Sequence, residues 1–143
     1  MSDACEIPSE NPTPDEIRAI LASAGTIAVV GLSDKPDRDS HRVAAYLQCA
    51  GYRILPVNPA VTTVLGEKAV ANLRDLAEPV DVVDIFRRAE AVPEIVEDAI
   101  AIGAKVIWMQ DGIVHEAAAT RARAAGLKVV TSRCMLRDHR AMM

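Results

Sequence analysis

Between positions 31 and 42 the sequence collects Gly31, Ser33, Asp34, Lys35, Arg38, Ser40, His41 and Arg42, the parts of an anion site. Gly31 follows an apolar run and lets the backbone turn sharply towards a ligand. Ser40 reads as the cap of a helix whose first N–H groups and positive dipole end would face a phosphate. Cations at a helix N-terminus are unfavourable unless an anion accompanies them. Their clustering here therefore favours an anion, while for any one cation a solvated loop is the rival reading.

A redox dinucleotide makes stricter demands. It needs G-x-G-x-x-G for close approach of the pyrophosphate and an acid at the end of the second strand for the ribose hydroxyls. Here Gly31 stands alone before Ser33, Asp34, Lys35 and Pro36, and the second strand ends in Val57-Asn58-Pro59. Both departures disfavour NAD. Arg87 and Arg88 better suit an adenine nucleotide with extra phosphate charge.

Other reactive side chains are scattered. His115 sits at the start of an Ala-rich helix and His139 in a charged tail with Arg137, Asp138 and Arg140; both read as solvated surface histidines without a nucleophile, whereas His41 reads as an anion contact. Cys5, Cys49 and Cys134 form no C-x-x-C and no zinc spacing. Cys49 reads as packing. Cys134 follows a strand end, where it is either a small buried filler or a thiol near the site. Asp84, inside an apolar strand, requires a backbone turn or a cation as partner. Trp108 and Phe86 read equally as core or as ligand contacts.

These residues need elements to place them. Thr13-Pro14-Asp15-Glu16 is a capping box, and Ile17, Ile20, Leu21 and Ala24 share one helical face before Gly25. Thr26–Gly31 is a continuous apolar run, the pattern of a strand covered on both faces. A loop over 32–39, a Ser40-capped helix ending at Gly51, and a strand over Tyr52–Val57 come next. From Pro59 to Pro79 the pattern is weak, with a short irregular strand over Val64–Glu67 and one helical turn over Leu73–Leu76. Strand Val82–Phe86, helix Pro93–Ile102, strand Lys105–Met109, helix Val114–Ala125 and strand Leu127–Val130 complete the alternation.

Regular strand and helix alternation predicts an α/β, single-domain, doubly wound parallel sheet, Rossmann-like. Ligands of such sheets bind beyond the carboxyl ends of the strands. That places Gly31 to Lys35, Asn58 and Pro59, Phe86 and Arg87, Met109 to Gly112 (including Gln110 and Asp111) and Thr131 to Cys134 around one site.

The 143 residues, half of them hydrophobic, suffice for one domain with its own core, expected over 13–143 behind a disordered segment 1–12. Twenty acids against 16 lysines and arginines, with 3% aromatics, argue against nucleic acid, which calls for a basic face or stacking platforms. No apolar run approaches the roughly 18 residues needed to span a membrane, and no export signal is evident. A cytoplasmic protein with reduced thiols is the expectation.

Several segments together carry a family resemblance. They are Ala28-Val29-Val30-Gly31-Leu32-Ser33, Pro36 to Arg42, Gly51-Tyr52-Arg53-Ile54-Leu55-Pro56-Val57-Asn58-Pro59 and Val83-Asp84-Ile85-Phe86-Arg87-Arg88. Ile102-Gly103-Ala104-Lys105, Trp108-Met109-Gln110 with Gly112, and Arg133-Cys134 complete the series. In this order the chain, over about residues 14–140, resembles the small stand-alone CoA-binding proteins, whose fold is that of the CoA-binding domain at the N-terminus of the succinyl-CoA synthetase alpha subunit. The resemblance implies phosphates held by the loop of Ser33, Asp34 and Lys35, and adenosine beside Asn58 and Pro59. It also implies Phe86 and Arg87 at the next turn, and Met109, Gln110 and Asp111 beside the pantetheine arm. The synthetase loop is richer in glycine than Leu32–Asp39, and the synthetase's phosphorylated histidine lies in a domain absent here, so ligase activity is not implied.

The expectation is thus a non-catalytic protein that binds or senses coenzyme A or an acyl-CoA, with a homodimer or another protein as compatible partners. An acyl-CoA-handling enzyme and an NAD(P)-binding regulatory domain are the alternatives. No triad, metal site or phospho-histidine domain supports an enzyme.

Overall fold

In the computed structural model, which describes residues 11–143, chain order runs α1 (Pro14–Ser23), β1 (Thr26–Val30), α2 (Asp39–Cys49), β2 (Arg53–Val57), then a hairpin of β3 (Thr63–Val64) and β4 (Glu67–Lys68). After a one-turn 3-10 segment at Leu73–Asp75 come β5 (Val82–Ile85), α3 (Val92–Ala101), β6 (Val106–Met109), α4 (Glu116–Ala124), β7 (Lys128–Val130) and α5 (Met135–Met142). Residues 1–10, most of the segment expected to be disordered, and with them Cys5, lie outside the described residues. Asn11 is ordered against Thr131: its Nδ2 donates to the Thr131 carbonyl at 3.0 Å and its Oδ1 accepts from the Thr131 N–H at 2.8 Å.

The sheet is five-stranded and parallel, in the order β2-β1-β5-β6-β7. Because its strands are covered on both sides, they are mostly continuous apolar runs rather than alternating, with Asp84 the buried exception in β5. Ala28, Val30, Val83, Ile85, Ile107 and Met109 pack against α3 and α4. Ile27, Val29, Val82, Trp108 and Val130 pack against α1, α2 and α5. Trp108 is fully buried and its Nε1 donates to the Arg133 carbonyl at 2.8 Å, so of its two readings the core one holds.

Several local expectations are corrected. Thr13 caps α1 as read, completing a capping box with Glu16, but Ser40 does not cap α2. Arg38 is the N-cap residue, without a side-chain cap bond, and Ser40 lies buried in the first turn, where its Oγ accepts from the Ser33 N–H at 3.0 Å. The weak strand over Val64–Glu67 is a hairpin that turns at Leu65 and Gly66, both with positive φ, the geometry of a tight two-residue connection. Cys49 is exposed rather than packed. The charged tail is helix α5: Met135 and Asp138 are buried, and His139, read as solvated, hydrogen-bonds through Nδ1 to the Tyr46 hydroxyl at 2.9 Å.

Candidate functional site

From β1, the second strand of the five, the chain lays β2 on one side at the sheet edge, then crosses to β5 on the other. The crossovers on the two sides of β1 thus leave a crevice between the carboxyl ends of β1 and β5, the place where open parallel sheets take ligands.

Gly31 occupies that point with φ +89°, a conformation that costs other residues strain. A β-carbon there would stand 2.8 Å from the Phe86 carbonyl oxygen and 3.2 Å from Arg87 Cδ. The loop beyond is self-fastened. The Lys35 N–H donates to Ser33 Oγ at 3.0 Å, and Asn58 ties the second-strand turn to the loop by donating from Nδ2 to the Leu32 carbonyl at 3.0 Å. Asn58 Oδ1 accepts from the Ala60 N–H at 2.8 Å. Asp34, Lys35, Arg38 and Pro59 are exposed on the outer surface of this region, and His41 is half-buried.

Next to this loop a cleft of about 520 Å³ opens between four elements. The start of α2 supplies Asp39, Arg42 and Val43, and the segment after β5 supplies Phe86, Arg87 and Arg88. The segment after β6 gives Gln110, Asp111 and Ile113, and α5 with its cap gives Cys134, Leu136, Arg137 and Arg140. Arg42 pairs with Asp39 at 2.5 Å, and Arg137 pairs with Asp111. Arg87, Arg88 and Arg140 make no ion pair among the described residues; Arg140 instead lies 5.5 Å from the centre of the Tyr46 ring.

The fourth wall is held firmly. The Met135 N–H donates to Gln110 Oε1 at 3.2 Å, so Gln110 caps the start of α5 from the end of β6. Arg133 donates from Nε and an Nη to the two carboxylate oxygens of the nearly buried Asp138 at 2.7 and 2.8 Å, and these bonds push the Arg133 pKa up. The Gly112 N–H donates to Ser132 Oγ at 3.0 Å and laces the loop after β6 to the loop after β7.

Of the sequence-predicted residues, Arg42, Phe86, Arg87, Gln110 and Asp111 meet in the cleft. Gly31, Ser33, Ser40 and Asn58 build the loop beside it, while Met109 is fully buried on the α3 and α4 side and Gly112 is exposed. Sequence reasoning missed the α5 contribution. Its signal was present: Met135, Leu136, His139 and Met142 recur at helical spacing, which turns Arg137 and Arg140 into one helix face.

Asp84 departs from expectation. It is fully buried, and neither carboxylate oxygen has a hydrogen-bond partner. Burial pushes its pKa well above the usual carboxylate range. At the opposite, amino-terminal end of the sheet a pocket of about 560 Å³ contains none of the predicted residues. It is lined largely by small and apolar side chains with Asp81, Lys105 and Lys128, and strand polarity favours the arginine cleft as the site.

No helix among the described residues is long and apolar enough to cross a membrane. The chain is 43% identical over 130 residues to the uncharacterized protein YneT of Bacillus subtilis strain 168, covering 91% of this chain and 96% of YneT. A hypothetical protein from Pyrococcus horikoshii OT3 superimposes with a TM-score of 0.91 at 39% identity over 99% of both chains. A Thermus thermophilus protein of solved structure does so with a TM-score of 0.88 at 40% identity, covering 92% of this chain and 100% of its own. The model of the CoA binding domain matches residues 25–140, a span that takes in Gly31, the loop after it and every side chain lining the cleft. The polar ends of the parallel strands and this match over most of the sequence lead to one assignment: the chain belongs to the CoA binding domain family.

Proposed function

We propose that this protein binds coenzyme A, or an acyl thioester of it, at the carboxyl ends of β1, β5 and β6. The observation that carries the reading is the family match over a site with exposed cations beside an uncapped helix start. Lys35, Arg38 and Arg87 with the first-turn amides of α2 would take the phosphates, assisted by Ser33, His41 and the backbone N–H of Asp34 at the loop. Adenosine would lie beside Asn58 and Pro59. The pantetheine arm would run past Gln110, Asp111 and Gly112, bringing its thiol end into the arginine cleft, whose wall includes Cys134.

A binding or sensing role, rather than catalysis, is supported by how the histidines are used. His115 Nδ1 accepts from the Ala118 N–H at 3.1 Å as the cap of α4, and His139 holds Tyr46. Cys134 therefore has neither of them as a base. Free thiols at Cys49 and Cys134 fit a reducing cytoplasmic setting.

Isothermal titration of the full chain with coenzyme A tests this. Saturable one-to-one binding that weakens as salt rises is expected, because phosphate contacts by exposed cations are screened. Substituting Lys35→Gln together with Arg38→Gln should weaken it further. Absence of binding up to millimolar coenzyme A would overturn the proposal.

A further inference from the structure

We propose that the acyl group this site accepts carries a carboxylate of its own, so that the preferred ligand is the monothioester of a dicarboxylic acid. This rests on the coenzyme A reading and adds the ligand class. In that reading the loop after β1 and the start of α2 already supply cations and free amides for the phosphates. The cleft beyond them would need no further positive charge to take a thiol or a neutral acyl chain.

Its charge is nevertheless strongly one-sided. Five arginines line it against two aspartates, in a chain whose net charge is -4. Asp39 and Asp111 answer Arg42 and Arg137, and Arg87 is taken by the phosphates, which leaves Arg88 and Arg140 without a carboxylate among the described residues. Uncompensated guanidinium groups gathered in one concave site focus positive potential there, and an incoming anion relieves it. A guanidinium fork matches the two oxygens of a carboxylate, the pairing that Asp111 already makes with Arg137 on the cleft wall.

The rest of the lining suits the chain that would carry such a carboxylate. Val43, Phe86, Ile113 and Leu136 offer apolar surface to a few methylene groups. The volume, about 520 Å³, is in the ordinary range of small-molecule sites.

The test is a comparison of affinities by isothermal titration at low salt, using coenzyme A, butyryl-CoA and succinyl-CoA, the last two matched in chain length and differing in the terminal carboxylate. Succinyl-CoA should bind about tenfold or more tightly than butyryl-CoA, the return expected of a charge-assisted hydrogen bond. Replacing Arg88→Gln and Arg140→Gln together should reduce that ratio to about threefold or less; both side chains are exposed, and thermal unfolding of the variant checks its fold. Coenzyme A binding with equal affinity for the two thioesters would overturn the carboxylate proposal and leave the coenzyme A reading standing. A ratio unchanged in the double variant would overturn the role of these arginines, and failure of all three ligands to bind would overturn both readings.

Discussion

Arg87 lies across Gly31, its Cδ 3.2 Å from the point where a β-carbon would stand, and the Phe86 carbonyl closes the same space at 2.8 Å. The ends of β1 and β5 meet there with no room for a side chain. The turn after β1 is thus fixed by the Phe86-Arg87 segment at the end of β5.

Gly31→Ala consequently faces two penalties, a left-handed backbone and a collision with backbone rather than with a side-chain tip. A loss of about 1–3 kcal/mol in urea unfolding is expected, together with weaker coenzyme A binding as Arg87 is displaced. An alanine variant with parental stability would contradict the close approach.

Asp84 makes native stability depend on pH. Its folded-state pKa is raised above the ordinary 3.8 by burial. Below that ordinary value both the folded and the unfolded chain keep the proton; above it only the unfolded chain releases it. Native stability therefore falls as pH rises, by up to about 1.4 kcal/mol per pH unit until the folded pKa is reached. Asp84→Asn cannot ionise, so the variant should gain on the parent as pH is raised from 5 to 8. Parallel stability profiles would show that Asp84 is ionised or partnered in the native protein.

The clamp at the start of α5 should matter for both stability and binding. Arg133→Gln leaves the Asp138 carboxylate, nearly out of water, without its bidentate partner. A destabilisation of about 1–3 kcal/mol is expected, with faster amide exchange confined first to α5. Exchange unchanged in α5 would mean that the Trp108 and Gln110 bonds to the Arg133 carbonyl and Met135 N–H suffice to hold it.

The sheet was legible because apolar runs such as Thr26–Val30 and Val106–Met109 satisfy the demand of a strand buried on both faces, and because Thr13, Gly25 and Gly51 punctuate the helices. The site was legible in half. Strand polarity alone brought Phe86, Arg87, Gln110 and Asp111 together, since their place depends only on where strands end. Ser40 was misjudged as a cap because a serine before an apolar helical pattern looks the same whether its hydroxyl serves its own helix or, as here, the Ser33 N–H. Helix α5 was missed because four of its eight residues are charged or histidine, and its docking depends on partners distant in sequence, Gln110 and Tyr46.

The most direct test of the central claim is thermal unfolding of the full chain with coenzyme A, dephospho-coenzyme A, NAD and NADP, each at low and high salt. Ligand at about 100 times its dissociation constant adds roughly 2.7 kcal/mol, a shift of several degrees in a domain of this size. Coenzyme A should give the largest shift, ahead of its dephospho form, and their difference should shrink in high salt. A larger shift with NADP, or none with any of the four, would contradict the coenzyme A reading.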